Sequence, residues 1–506
     1  MATASEKLAQ SLEVLKKIQG SRENPVIRST EISRTHLERL VDNGFLTKVL
    51  NGWYIASDPV AQSGDTTAWY ISYWRFISEY IKDKLGDDDW CLTPEASLDV
   101  LTGNWTVFSQ LIIRSPKCSN STVSLPFGCS IYFLKADCAS NVIKEKRYDL
   151  NVYSIPEALV MVAPTFYQRN GITARTALSA VRDSSDVLPY LLDTGRSVRA
   201  GRLIGAFKNV GMTVIAEEIK STMVRFGYDI REDNPFTDKY EFVRNLSPYA
   251  TRINLMWQSM REEVLAVKPA VKSGVDVEAY MRDVEDRYKL DAYHSLSIEG
   301  YKVSEKLIEK VRSGNWKPDA NVTDRDDKAA LAARGYWQAF QTVKNSLRAI
   351  LSGANAGNVV EKDHRIWYQE MFAPSVMAGI IKASDIAGYR SNQVYIRNSM
   401  HTPLNPEAVR DAMPVLFDLL KTEEDAWVRA VLGHFVFTFI HPYIDGNGRM
   451  GRFLMNVMLA SGGYRWAIIS KDIRDSYMSA LEKASVYNDI TAFARLLAEI
   501  VSDNEK

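Results

Sequence analysis

The sequence predicts a multidomain, mostly α-helical protein. A small helix-and-hairpin module comes first, then a mixed α/β region, then a long α-helical region interrupted by a β-hairpin flap. Three observations predict this order. At 506 residues the chain is too long for one ordinary core. Near its start, Asn51-Gly52 stands between two β-rich runs, a strong hairpin signal. From about residue 210 the apolar spacing is helical almost throughout, except in "GYRSNQVYIRNSMHTPLNP" (388–406), which alternates like a short strand pair and ends in prolines.

Residues 1–60 read as three helices and a hairpin. "KLAQSLEVLKKI" has helical spacing, "RSTEIS" can cap a short helix, and "RTHLERLVDNG" is closed by Gly44. "FLTKVLNGWYIA" supplies the hairpin. Three helices and a β-wing describe a winged helix, in which Arg28, Arg34, Arg39 and Lys48 could meet phosphates. Such modules contact either DNA or protein. Residues 65–205 mix a helical "AWYISYWRFISEYIKDKL", strand-like "FSQLIIRS" and "CSIYFLK", and a polar, proline-bearing loop at 115–127. Their aromatic run reads as core. The winged helix followed by "WCLTPEASLDVL" resembles the antitoxin-like module of abortive-infection systems. No catalytic constellation emerges before residue 210, where the third region (210–506) begins.

Composition excludes several classes. With 46% hydrophobic and 25% charged residues the chain is a soluble globular type. Its 62 basic and 62 acidic residues balance, which argues against a globally basic nucleic-acid binder. No run of about 18 apolar residues suggests a membrane span, and "MATASEKLAQSLEVLKK" lacks a secretory apolar block. Cys91, Cys118, Cys129 and Cys138 form no CxxC pair and enclose no histidine, so reduced thiols in a cytoplasmic protein are expected rather than a zinc site.

The chemistry concentrates in "FIHPYIDGNGRMGRFLMN" (439–456). "EEDAWVRAVLGHFVFTFI" is a helix that must stop at Pro442, leaving His441 at its carboxyl end. The next helix is entered through Asp445-Gly446-Asn447-Gly448. Glycines there free the backbone to turn its N–H groups outward, and a helix amino terminus adds partial positive charge. Arg449 and Arg452, three apart, can both reach phosphate oxygens. Asp445 can hold a magnesium ion, and His441 has the pKa for general-base work. Together they describe a site for a nucleotide di- or triphosphate with a base beside it.

"HPYIDGNGRMGR" (441–452) resembles the core motif of Fic-domain proteins, HPFxDGNGRxxR, with Tyr443 in place of phenylalanine. The resemblance extends over about 285–500. It implies an α-helical Fic domain with a β-hairpin flap, Mg2+ as cofactor, ATP as substrate, and transfer of AMP to a Ser, Thr or Tyr hydroxyl of a target protein. By resemblance His441 is the base, Asp445 the metal ligand, and Gly446, Asn447, Gly448 and Arg449 the anion hole. Arg452 resembles the arginine that grips the γ-phosphate. Val394, Tyr395, Ile396 and Arg397 match the flap stretch that covers the nucleotide and pairs with the target by strand addition. "RNSMHTPL" then departs from the family's Gly-rich turn and proline pair. Tyr477 matches a residue lining the base, although the neighbouring Asn position falls on Ser485.

Upstream, "YHSLSIEGYKV" (293–303) places Ser295 and Glu299 four apart, with Gly300 next. Taken alone this is a surface i, i+4 pair. It also resembles the family's inhibitory motif, [S/T]xxxE[G/N], which implies a Glu299–Arg452 pair that denies the arginine to the γ-phosphate. In some members the same glutamate assists the reverse reaction. His434, seven before His441, reads as core packing. His36, His294 and His364 read as surface or capping residues, and His401 on the flap could touch a target. The partners to test are a target protein, the chain itself, DNA through the winged helix, and a second copy in a homodimer, with no membrane. Two other functions stay in view: a winged-helix DNA-binding regulator, and a toxin–antitoxin-like protein, each with a nucleotide-sensing core.

Overall fold

The computed structural model describes residues 3–20, 25–62, 64–238, 240, 247–271, 276–315 and 328–503. The chain divides into two units: 1–242 with 395–402, and 243–394 with 403–506.

The first unit opens with a helix, Ala4–Gln19, whose Thr3 cap and Glu6 form a reciprocal capping box. Strand β1 (Val26–Arg28) follows, then helix Arg34–Asp42, capped by Ser33, then β2 (Leu46–Leu50) and β3 (Trp53–Ala56). The three strands pair antiparallel in the order β1-β3-β2, with Asn51-Gly52 at the turn. The expected middle helix is not formed: residues 29–33 are a turn, and "VIR" pairs with β3 instead. Its β-branched Val26 and Ile27 follow Pro25, and both are buried on the sheet rather than on a helix face.

Next comes the aromatic helix Thr67–Leu85, whose Trp69, Tyr73, Trp74 and Phe76 are all buried in one core. Strands β4 (Cys91–Leu92), β5 (Gln110–Ser115), β6 (Ser121–Ser124) and β7 (Ser130–Lys135) form a sheet in the order β4-β5-β7-β6, with β5 and β7 parallel. β8 (Val142–Lys144) and β9 (Asn151–Tyr153) make a separate pair. The unit does not end near 205. Helices Ser197–Asn209 and Thr213–Arg225 stay within it, because Leu203, Ile204, Phe207, Ile219 and Met223 belong to the same core as Leu159 and Leu178. The expected boundary at 205–210 therefore moves to 242/243.

The expected β-hairpin flap is the second departure. Residues 388–406 carry no paired strands. Part of the segment, 395–402, belongs to the first unit. There Arg397 bonds Asp65 with both Nε and Nη2, Asn398 Oδ1 accepts from the Thr66 N–H at 3.0 Å, and Tyr395 OH lies 3.3 Å from Tyr148 OH. Hydrogen bonds to loops and a helix amino terminus replace a strand ladder, and Asn398 takes a left-handed φ of 56°.

The second unit is helical. Ala426–Ile440 is buried on nearly every side, so it is the central helix rather than a surface one. The motif helix Asn447–Ser461 lies against it, and also against Lys328–Leu351 and Ala356–Met377. Those two cross so closely that a Cβ on Gly335 would stand 1.9 Å from the Met371 carbonyl oxygen. Helix Val277–Ile298, capped by Asp276 at Ala279 N (2.8 Å), runs to Glu299. Among the described residues no helix is long and apolar enough to cross a membrane.

Candidate active site

His441 ends the central helix in the left-handed conformation, φ 55° and ψ 61°, with its N–H on the Phe437 carbonyl. Its Nδ1 lies 3.1 Å from the Thr438 carbonyl oxygen. A carbonyl only accepts, so Nδ1 carries the proton and Nε2 is the basic nitrogen. Burial, with Arg390 nearby, holds the imidazole down to about 4, so it is neutral near pH 7.

Between the helices, the loop is closed by Asn447. The Tyr443 N–H donates to Asn447 Oδ1 and Asn447 Nδ2 donates back to the Tyr443 carbonyl, both at 2.9 Å. Asn447 is 2% exposed, so its side chain shapes the loop and its backbone N–H is what it can offer an anion. Gly446 sits at φ 80°, and a Cβ there would meet the Phe372 ring at 2.8 Å. The motif helix thus begins with its first N–H groups unpaired by any earlier turn, which suits an anion.

Two arginines flank this helix head. Arg449, 1% exposed, is 3.3 Å from Asp445 Oδ2, with its guanidinium 5.0 Å from the Phe372 ring centre and 5.3 Å from that of Tyr301. Arg452 donates from Nε to Ser295 Oγ (2.9 Å) and from Nη2 to the Ser295 carbonyl (3.0 Å) and Glu299 Oε1 (2.7 Å). Burial alone would lower the Arg452 pKa, but the Glu299 charge more than reverses it and the pKa is raised. Burial pulls Glu299 the other way, and the Arg452 and Arg449 charges overcome it, so Glu299 stays below the ordinary carboxylate value. Glu299 Oε1 lies over the helix head: a Cβ on Gly448 would meet it at 2.4 Å. The helix that carries Ser295 stops at Ile298 because Gly300 takes φ 87° and lets the Tyr301 N–H reach back to the Leu296 carbonyl at 3.1 Å. Asp291, one turn before Ser295, accepts from Tyr336 OH at 2.7 Å, and burial raises its pKa to about 6.

Of the residues singled out in the sequence, the second unit brings together Ser295, Glu299, His441, Asp445, Gly446, Asn447, Gly448, Arg449 and Arg452. Tyr477 is also in that unit but 1% exposed, with its hydroxyl 2.7 Å from His434 Nε2, so its ring is packed rather than open to a ligand. Tyr395, Ile396 and Arg397 belong to the first unit. His401 is buried there. His364, expected at the surface, is buried against Tyr389. Arg390 and Tyr301 were missed: one is a lone cation in an extended stretch, the other an ordinary aromatic after a glycine, and only tertiary contact marks them.

A neutral imidazole, a helix amino terminus and two guanidiniums stand together in an arrangement suited to phosphate-group chemistry on an anionic substrate. Asp445 fits a magnesium ion that arrives with such a substrate. Its side chain is 60% exposed, and a lone carboxylate suits an ion that takes most of its ligands from phosphates and water.

Comparison with known proteins gives the class its name. Residues 360–459 match the Fic/DOC family profile, and the chain carries a Fic domain. It is 26% identical over 222 residues to a protein adenylyltransferase Fic of Nematostella vectensis, covering 43% of this chain and 48% of that one. It is 25% identical over 358 residues to the Drosophila willistoni protein of the same name, covering 67% and 66%. The chain thus spans about half the length of the first relative and two thirds of the second. Among solved structures, Fic-1 (aa134–508) from C. elegans aligns at TM-score 0.36 and 18% identity, over 66% of this chain and 92% of that one.

Proposed function

We propose that the protein is an adenylyltransferase that moves AMP from ATP to a hydroxyl side chain of a target protein, and that Glu299 restrains it. The observation that carries the reading is the pairing of a neutral His441, basic at Nε2, with a helix head flanked by Arg449 and Arg452. His441 Nε2 takes the proton of a Ser, Thr or Tyr hydroxyl. The freed oxygen bonds the α-phosphorus, the bond to the bridging oxygen breaks, and pyrophosphate leaves. Arg449 and the helix head stabilise the charge on the α- and β-phosphates, and Arg452, once released, takes the γ-phosphate. Asp445 would hold Mg2+, whose chemistry is to neutralise the leaving pyrophosphate. Glu299 spends the Arg452 guanidinium and lays a negative charge over the helix head, so it opposes productive binding of a triphosphate.

Incubation with Mg2+ and α-labelled ATP tests the reading. Label on an added lysate protein, or on the chain itself, is expected from Glu299→Gly and not from Glu299→Gly/His441→Ala. Equal labelling by both variants would remove His441 as the base.

A further inference from the structure

Arg390 is 1% exposed, and the second unit spends its donors on main-chain carbonyls. Nε donates to the His441 carbonyl at 2.8 Å and Nη2 to that of Ile440 at 3.5 Å. Nη1 donates to the Asn392 carbonyl at 3.0 Å, and Nη2 also to that of Leu404. Its backbone N–H reaches the Pro442 carbonyl at 3.0 Å. A guanidinium is planar with donors on fixed directions, so one buried arginine ties three separated stretches of chain, and an ammonium cannot copy it.

The position of those bonds matters. His441 is a non-glycine residue in the left-handed region, a state that persists only where its surroundings over-determine it. At this helix end the Ile440 and His441 carbonyls have lost their helical partners. Arg390 satisfies both, while the Pro442 carbonyl is met by its N–H. Holding the turn leaves the imidazole with Nδ1 toward Thr438 and Nε2 free to act.

We infer that Arg390 is a positioning residue: it fixes the His441 turn to the chain at Asn392 and Leu404, and so sets where the His441 imidazole stands and which ring nitrogen is basic. This rests on the adenylyltransferase reading for its link to rate, but not for its link to geometry.

The test compares Arg390→Lys with its parent in the Glu299→Gly background of the full chain. Transfer of α-labelled AMP is expected to fall at least tenfold, while the Kd for ATP changes less than twofold. Nitrogen-15 spectra of the histidine rings are expected to show His441 protonated at Nδ1 in the parent and a mixture of tautomers in Arg390→Lys. A rate within twofold of the parent, or an ATP Kd that weakens in step with the rate, overturns the inference, as does an unchanged tautomer. If the parent itself transfers nothing, the adenylyltransferase reading fails, and the tautomer comparison still decides the role of Arg390. Should Arg390→Lys not fold, the wild type decides: a His441 ring protonated at Nε2, or an Arg390 Nε–H exchanging as fast as free arginine, overturns it, and a protected Nε–H beside an Nδ1-protonated ring supports it.

Discussion

Glu299 Oε1 accepts from Arg452 Nη2 at 2.7 Å, while the Nε of the same guanidinium bonds Ser295 Oγ at 2.9 Å. The arginine is 3% exposed, so its charge is neutralised by a partner that a single substitution can remove. Breaking one side of a buried pair leaves the other charge seeking a counter-ion. Glu299→Gly should therefore bind ATP more tightly and transfer AMP at least tenfold faster than wild type. An unchanged rate of labelled transfer would separate this ion pair from any restraining role.

Tyr301 offers a finer test. Its ring lies 5.3 Å from the Arg449 guanidinium, from the same turn that carries Glu299. A cation–π contact of this kind contributes about 0.5–2 kcal/mol. Tyr301→Ala should raise transfer by a smaller factor than Glu299→Gly, roughly two- to thirtyfold by that energy. The two variants share one turn, so their effects should not add. A double variant whose gain equals the product of the two single gains would count against a common restraint.

Gly448→Ala should behave differently from either. The new Cβ would meet Glu299 Oε1 at 2.4 Å and Arg452 Nη1 at 3.2 Å. It displaces the glutamate but also fills the space over the helix head. ATP binding by calorimetry should weaken, without the rate gain of Glu299→Gly. Tighter binding would mean the helix head is not where the anion sits.

The acid side of the stability profile follows from three histidines. Burial holds His364, His434 and His441 each down to about 4, against 6.5 in an unfolded chain. Between these values the unfolded state takes up protons that the folded state refuses. Stability therefore falls as pH drops from about 6.5 toward 4, on the order of 3 kcal/mol for each histidine at the lower end. Asp291 opposes one of them. With its pKa raised to about 6, the folded state keeps a proton that the unfolded state has lost, so this group favours folding as pH falls from about 6 toward 4. Chemical denaturation at pH 7.5 and 5 measures the net loss, and His434→Gln should flatten the slope. An identical slope in the variant would contradict the neutral buried state of His434.

Packing gives a prediction independent of chemistry. Glycine to alanine inside a helix ordinarily stabilises by up to about 1 kcal/mol. At Gly335 the added Cβ would stand 1.9 Å from the Met371 carbonyl oxygen and push two helices apart. Gly335→Ala should instead destabilise by about 1–3 kcal/mol, read as a lower melting temperature.

The site was legible because its chemistry is contiguous. His441, Asp445, Arg449 and Arg452 lie within twelve residues, and a helix stopped before Pro442 and another started after Gly446 place them without long-range information. Glu299 was legible by motif alone. Its partner lies 153 residues away, so the 2.7 Å contact could come only from the fold. Arg390 and Tyr301 carry no local signal, since each matters through what it touches. The amino-terminal reading fails at "RSTEIS", where residues 29–33 form a turn and no helix, and it gives no strand at "VIR", because three residues next to a proline do not reveal whether a sheet is waiting for them. The flap reading failed for a related reason. Alternation in "QVYIRNSM" does suit a strand, yet Tyr395, Arg397 and Asn398 found side-chain and helix-cap partners in the first unit. The domain limit near 205 was misplaced because helical spacing alone does not say which core the helix Thr213–Arg225 joins.

The side-chain latch of Asn447 bears on how the protein ages. An asparagine followed by glycine deamidates when the glycine nitrogen swings round to attack the side-chain amide. Asn447 is buried, tethered by two hydrogen bonds and locked at the start of a helix, so that cyclisation is blocked. The same dipeptide at Asn51-Gly52 sits exposed at a hairpin tip. On storage, isoaspartate should accumulate at exposed Asn-Gly pairs such as Asn51-Gly52 and Asn43-Gly44 before it forms at Asn447, leaving the motif loop chemically intact while the amino-terminal module wears.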